Sequence, residues 1–193
     1  MRTAILLVAS LLPLIGSVTY IRSIFKGKTV PQRMTRLLML VISALAFISL
    51  WADGDTSGIW LALASLVQAA IIWLLSFRYG MGGRDRLDIL CFILCFAGIG
   101  LWWVSGDALI GLLAFIVADF VAVIPSLVKT VRLPHTELAL FYLLDVVASG
   151  LIVLVGPYSW QALLYPTYLL AINLAFVMVI RWPRAVTETD TIY

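Results

Sequence analysis

Charge is scarce in this chain. Only 12% of its 193 residues are Asp, Glu, Lys or Arg, where a soluble domain carries about 25%. Cysteine is scarcer still: Cys91 and Cys95 are the only two, which excludes a disulfide scaffold. Four residues apart, they share one helix face and read as buried packing thiols. His135 is the single histidine, so no zinc-ligand spacing exists and no metal site is expected. No lysine lies inside an apolar run, which excludes a retinal-type Schiff base. There is no nucleophile elbow and no phosphate loop, so neither an enzyme nor a bound cofactor is expected. What the sequence does have is apolar residues, at 63%, and a mean hydropathy of +1.10. A chain of 21.3 kDa cannot hide that much apolar surface in its own core. It reads as an all-α integral membrane protein.

One bilayer crossing takes about 20 apolar residues, so seven would use roughly 140 and leave no room for a soluble domain. Seven spans are expected at 3–24, 35–52, 57–78, 87–105, 107–130, 137–156 and 160–182. The run from Thr56 to Phe77 carries no charge at all. Turn chemistry separates the spans, at Lys26-Gly27-Lys28, Ala52-Asp53-Gly54-Asp55, Gly80-Met81-Gly82-Gly83, Ser105-Gly106-Asp107, Leu133-Pro134-His135 and Gly156-Pro157. The first run is long enough to span, and no small-x-small cleavage site follows it before Arg22, so it is read as a span and not a signal peptide. Arg22, Lys26, Lys28, Arg33, Arg36, Arg78, Arg84, Arg86, Lys129, Arg132, Arg181 and Arg184 fall on one side, leaving only Arg2 on the other. Asp53, Asp55 and Asp107 fall opposite. The positive-inside rule then puts the amino terminus outside and the carboxyl terminus in the cytoplasm of an inner-membrane protein. The pI near 9.0 reports this topology and not nucleic-acid binding.

The chain also repeats itself. At an offset of 103 positions, Ile21, Ser23, Lys26 and Pro31 fall on Ile124, Ser126, Lys129 and Pro134 without a gap. Leu37, Leu40, Leu61 and Arg78 fall on Leu140, Leu143, Leu164 and Arg181. The expected organisation is therefore 3+1+3: a first three-helix unit at 1–80, a linker helix at 81–106, a parallel second unit at 107–184, and a cytoplasmic tail at 185–193. Parallel repeats about the membrane normal are a transporter architecture, with the solute site between the repeats near the midplane.

Pro125-Ser126-Leu127-Val128-Lys129-Thr130-Val131-Arg132 resembles the PQ-loop signature of the SWEET and SemiSWEET transporters, in which a Pro-Gln pair precedes a Lys-Thr-x-Arg-like stretch. Ser126 stands where that family has Gln, and Arg22-Ser23 stands where the first-half pair would fall. Pro31-Gln32 is read as a coincidence of the loop. The resemblance implies alternating access, with Pro125 as a hinge and an Asn on the last helix of a unit as a solute contact, the position of Asn173. Pro13 is read as a second hinge, since proline removes a backbone hydrogen bond and kinks its helix.

Polar residues inside apolar spans are functional-site hypotheses by default. Asp119 lies about 16 Å and Asp145 about 12 Å from the basic end, and Asn173 and Gln68 lie at about 12–15 Å, taking 1.5 Å per residue. Two carboxylates in one low-dielectric layer are the chemistry a proton-coupled carrier needs. Tyr142, Asp145 and Ser149 share a helix face, as do Asp119 and Ser126, and as do Ser10, Pro13, Ser17 and Tyr20. Trp51, Trp60, Trp102, Trp103, Trp160 and Trp182 read as an interfacial belt, with Trp73 deeper. The expected function is transport of a small polar solute, with protons as a candidate coupling ion and lipid as the surroundings. Self-association is left open. A non-transporting receptor or accessory subunit on the same fold is the alternative.

Overall fold

The computed structural model describes residues 2–52, 59–83, 85–105, 108–155 and 160–182. Asp53, Asp55, Arg84, Gly106, Asp107, Gly156-Pro157, Arg184 and the tail at 185–193 lie outside the described residues. The described chain is helical: α1 (Arg2–Phe25), α2 (Arg33–Ala52), α3 (Ile59–Tyr79), α4 (Arg86–Ser105), α5 (Ala108–Arg132), α6 (Ala139–Val155) and α7 (Trp160–Arg181), with a 3-10 turn at Pro134–Thr136 before α6. Each helix stands where an apolar run predicts one. Three of them, α1, α5 and α7, are long and apolar enough to cross a membrane, and α3 and α6 hold shorter apolar stretches.

The turns at the basic end are closely built. Gly27 has a φ of +69°. Its N–H donates to the Ile24 carbonyl at 2.9 Å, and the Lys28 N–H donates to Ser23 at 3.0 Å. This pairing closes a helix on a left-handed glycine. Gln32, read above as coincidental, caps α2: its Oε1 accepts from the Thr35 N–H at 3.0 Å, and its Nε2 donates to Asp88 Oδ1 at 2.7 Å. The loop before α4 lies against it, with Met81 N–H on the Pro31 carbonyl at 3.0 Å and Arg33 N–H on the Met81 carbonyl at 2.9 Å. Gly80 is needed there, because a Cβ would sit 2.7 Å from the Pro31 oxygen and 2.4 Å from that of Ser76.

α4 packs along α5, α1 along α6, α6 along α7 and α2 along α3. α2 also meets α5, α5 meets α7, and there are slighter contacts of α1 with α3 and α2 with α4. Between helices in lipid, close approach of small side chains replaces the hydrophobic drive. Ala118 and Ala122 on α5, both fully buried, let Leu38 and Ile42 of α2 and Cys91 and Cys95 of α4 pack against them. The two thiols are free and buried, as their spacing suggests. On α6 and α7, Tyr142 stacks flat on Phe176 with ring centroids 4.3 Å apart. Trp51, Trp103, Trp160 and Trp182 at helix ends are exposed, and Trp73 makes an edge contact with Phe77.

Candidate functional site

Helices α1, α2, α3, α6 and α7 surround a cavity of about 460 Å3. A smaller one of about 190 Å3 adjoins it between α2, α5, α6 and α7. Seven residues line both: Arg36, Met39, Phe141, Asp145, Tyr165, Leu169 and Asn173. The larger cavity reaches Ala9, Ser65, Ile152 and Tyr165. By helical rise these lie about 20–24 Å from the basic end.

Below the cavities, at the basic end, a buried polar network joins both halves of the chain. Glu137, just past the 3-10 turn, forms an ion pair with Lys129 of α5, both side chains being buried. Its Oε2 accepts from the hydroxyl of Tyr20 at 3.2 Å and from that of Tyr142 at 3.1 Å. Tyr20 in turn accepts from Arg36 Nη2 at 2.6 Å, and the Arg36 guanidinium lies 4.6 Å from the centre of the Tyr20 ring. Lys129 Nζ also donates to the Val30 carbonyl at 2.5 Å, and the Val30 N–H donates to the Thr136 carbonyl at 2.9 Å. Lys129 and Glu137 can be held in so buried a place only because each has the other's opposite charge and further hydrogen bonds.

The expected site residues converge on the two cavities. Asp145 and Asn173 line both, Gln68 lines the larger, and Asp119, Tyr142 and Ser126 line the smaller. Asp119 and Gln68 therefore do not share a cavity. Asp119 is buried and accepts from the Tyr168 hydroxyl at 2.6 Å. Asn173 Nδ2 donates to the Leu169 carbonyl one turn back at 2.9 Å. Ser126 Oγ is buried with no partner among the described residues. Pro125, inside α5, has no N–H to give, and the next N–H, on Ser126, turns to Thr35 Oγ1 of α2 at 3.2 Å. Pro13 and Ser10 line the larger cavity. Ser17 bonds back to the Pro13 carbonyl at 2.7 Å, and Tyr20 belongs to the network below.

Two members of this constellation were not visible in the sequence. Arg36 sorts with the loop cations because only Arg33, Met34 and Thr35 separate it from the start of α2. Yet it lines both cavities. Glu137 stands at the first position of the expected span 137–156 with nothing in its local spacing to mark it, while its side chain is the centre of the buried network. No known family model, curated protein or solved structure matches the chain.

Proposed function

We propose that this chain is a small integral membrane carrier on a SWEET-like, PQ-loop architecture that moves a small polar solute by alternating access. The observation that carries this reading is the central cavity. It is lined by polar residues from both halves and shut at one end by the buried network around Glu137. A volume of about 460 Å3 lies within the roughly 300–1,000 Å3 of small-molecule sites.

The helix contacts support a pair of parallel three-helix repeats. Exchanging α1, α2 and α3 for α5, α6 and α7 turns the α1–α6 contact into α5–α2, the α2–α3 contact into α6–α7, and the α1–α3 contact into α5–α7. All six contacts are present. α4 then links the units and packs on α5. The exposed apolar side chains of α1, α4 and α5, among them Leu7, Leu11, Ile93, Val117 and Phe120, suit a lipid-facing surface. With the basic end in the cytoplasm, the network closes the cytoplasmic side and the cavity extends toward the outside. Asp119 and Asp145 supply proton acceptors for coupling. Breaking the Glu137 network and closing the far side would complete the transport cycle.

The test is uptake by proteoliposomes of a panel of radiolabelled sugars, amino acids and nucleosides, with and without an imposed pH gradient. A carrier gives saturable uptake of at least one solute. Asp119→Asn removes pH-driven accumulation and spares exchange. No uptake of any member would leave the receptor or accessory reading in its place.

A further inference from the structure

The charges around the cavity are not all engaged. Lys129 is paired with Glu137, and Asp119 is held by Tyr168. Arg36 and Asp145 differ. The guanidinium gives one Nη to Tyr20, while its Nε is buried with no partner among the described residues. The Asp145 carboxyl makes no hydrogen bond or ion pair with any described residue; only its main-chain carbonyl is used, by Ser149 Oγ at 2.7 Å. Both residues line both cavities, and no ion pair joins them among the described residues. A cation and an anion thus line the same cavity, near enough to attract each other but joined by no hydrogen bond or ion pair among the described residues.

We infer that this cavity binds a small zwitterion of the α-amino-acid type, with its carboxylate on Arg36 and its ammonium group on Asp145. A half-buried charge without a hydrogen-bonded counterion is unfavourable, and hydroxyl groups of a neutral sugar relieve it only in part. A carboxylate can take two N–H groups from the Arg36 Nη atoms together, the forked geometry that makes such pairs strong. An ammonium group donates to Asp145 in the same step. Ligands with one charge leave the other residue unpaired. Asn173 adds a hydrogen-bonding position on the same wall. Met39, Ile72, Phe141 and Leu169 leave an apolar surface for a side chain.

The inference deepens the carrier reading by naming its solute class, but binding can be measured without transport. Detergent-purified protein is tested by thermal stabilisation and equilibrium binding with the twenty standard amino acids. Propionate, alaninamide and glucose serve as anionic, cationic and neutral controls. At least one amino acid is expected to bind saturably, with propionate, alaninamide and glucose at least about tenfold weaker. Asp145→Asn should weaken amino-acid binding by about tenfold or more and leave propionate binding no weaker than before. Arg36→Lys, which keeps the charge and loses the fork, should weaken amino-acid and propionate binding together. Absence of binding by all twenty amino acids overturns the inference, as does glucose binding that matches theirs and ignores Asp145→Asn. Amino-acid binding without proteoliposome uptake keeps this inference and removes the carrier reading. Glucose uptake without amino-acid binding does the reverse.

Discussion

Lys26 and Lys129 fall on each other at the 103-position offset of the sequence, yet Lys26 is exposed and Lys129 is buried. The difference lies in their surroundings. Lys129 meets Glu137, whose counterpart in the first half is Met34, so Lys26 has no matching acid to bury against. The same division runs through the cavity. Asp119, Asp145 and Asn173 correspond to Gly16, Ile42 and Ala70, while Arg36 and Gln68 correspond to Ala139 and Ala171. Acids come from the second half and the cavity cation from the first. Positions matched at this offset thus carry unlike chemistry, and the network at the basic end draws Tyr20 and Arg36 from the first half of the chain and Glu137, Lys129 and Tyr142 from the second.

The comparison is tested hardest at the lysines. Glu137→Gln leaves Lys129 buried without its countercharge and should cost about 3–5 kcal/mol of stability, measured by unfolding in detergent. Lys26→Met should change stability by less than about 0.5 kcal/mol. The double variant Lys129→Met/Glu137→Leu, which removes both charges, should recover most of the loss. Similar losses for the two single variants would mean that the halves do not differ as described.

A smaller contrast separates Tyr168 from its counterpart Ser65. Tyr168→Phe removes the donor to Asp119 and should cost about 1–3 kcal/mol. Ser65 is exposed at the larger cavity, and Ser65→Ala should stay within about 0.5 kcal/mol in the same melts. The smallest contrast involves the paired serines. Ser23 Oγ is 2.5 Å from Thr29 Oγ1, so Ser23→Ala should cost about 1 kcal/mol. The Ser126 hydroxyl has no partner to lose among the described residues, so Ser126→Ala should leave stability within about 0.5 kcal/mol. Reversal of that order would contradict the pairing of Ser23 and the lack of one at Ser126.

Much of the fold was legible because each helix follows an uninterrupted apolar run, and glycine, proline and short polar stretches mark the turns. The expected span 35–52 and the observed α2 at Arg33–Ala52 differ only where Gln32 caps the helix from outside the run. Asp119, Asp145, Asn173 and Gln68 were legible for the same reason: each is a polar residue with no local excuse inside an apolar stretch. Arg36 and Glu137 were not. Both lie close to helix starts among loop residues, and the residue that joins them inside is Tyr20 of α1. It is 16 positions from Arg36 and 117 from Glu137. No local spacing encodes such pairings. Gln32 was missed likewise, because its value depends on Asp88 of α4.

The central claim is that the basic end must open for the cavity to empty. Val30 and Thr136 are joined there by a main-chain hydrogen bond of 2.9 Å, one residue on each side of the closure. Cysteines introduced as Val30→Cys and Thr136→Cys can be cross-linked by mild oxidation, while the native Cys91 and Cys95 are buried in the helix core. In proteoliposomes given labelled L-alanine and glucose, the account predicts that oxidation of the double variant abolishes uptake and that dithiothreitol restores it. Undiminished uptake by the fully cross-linked protein, or no uptake of either solute by the reduced one, would contradict it.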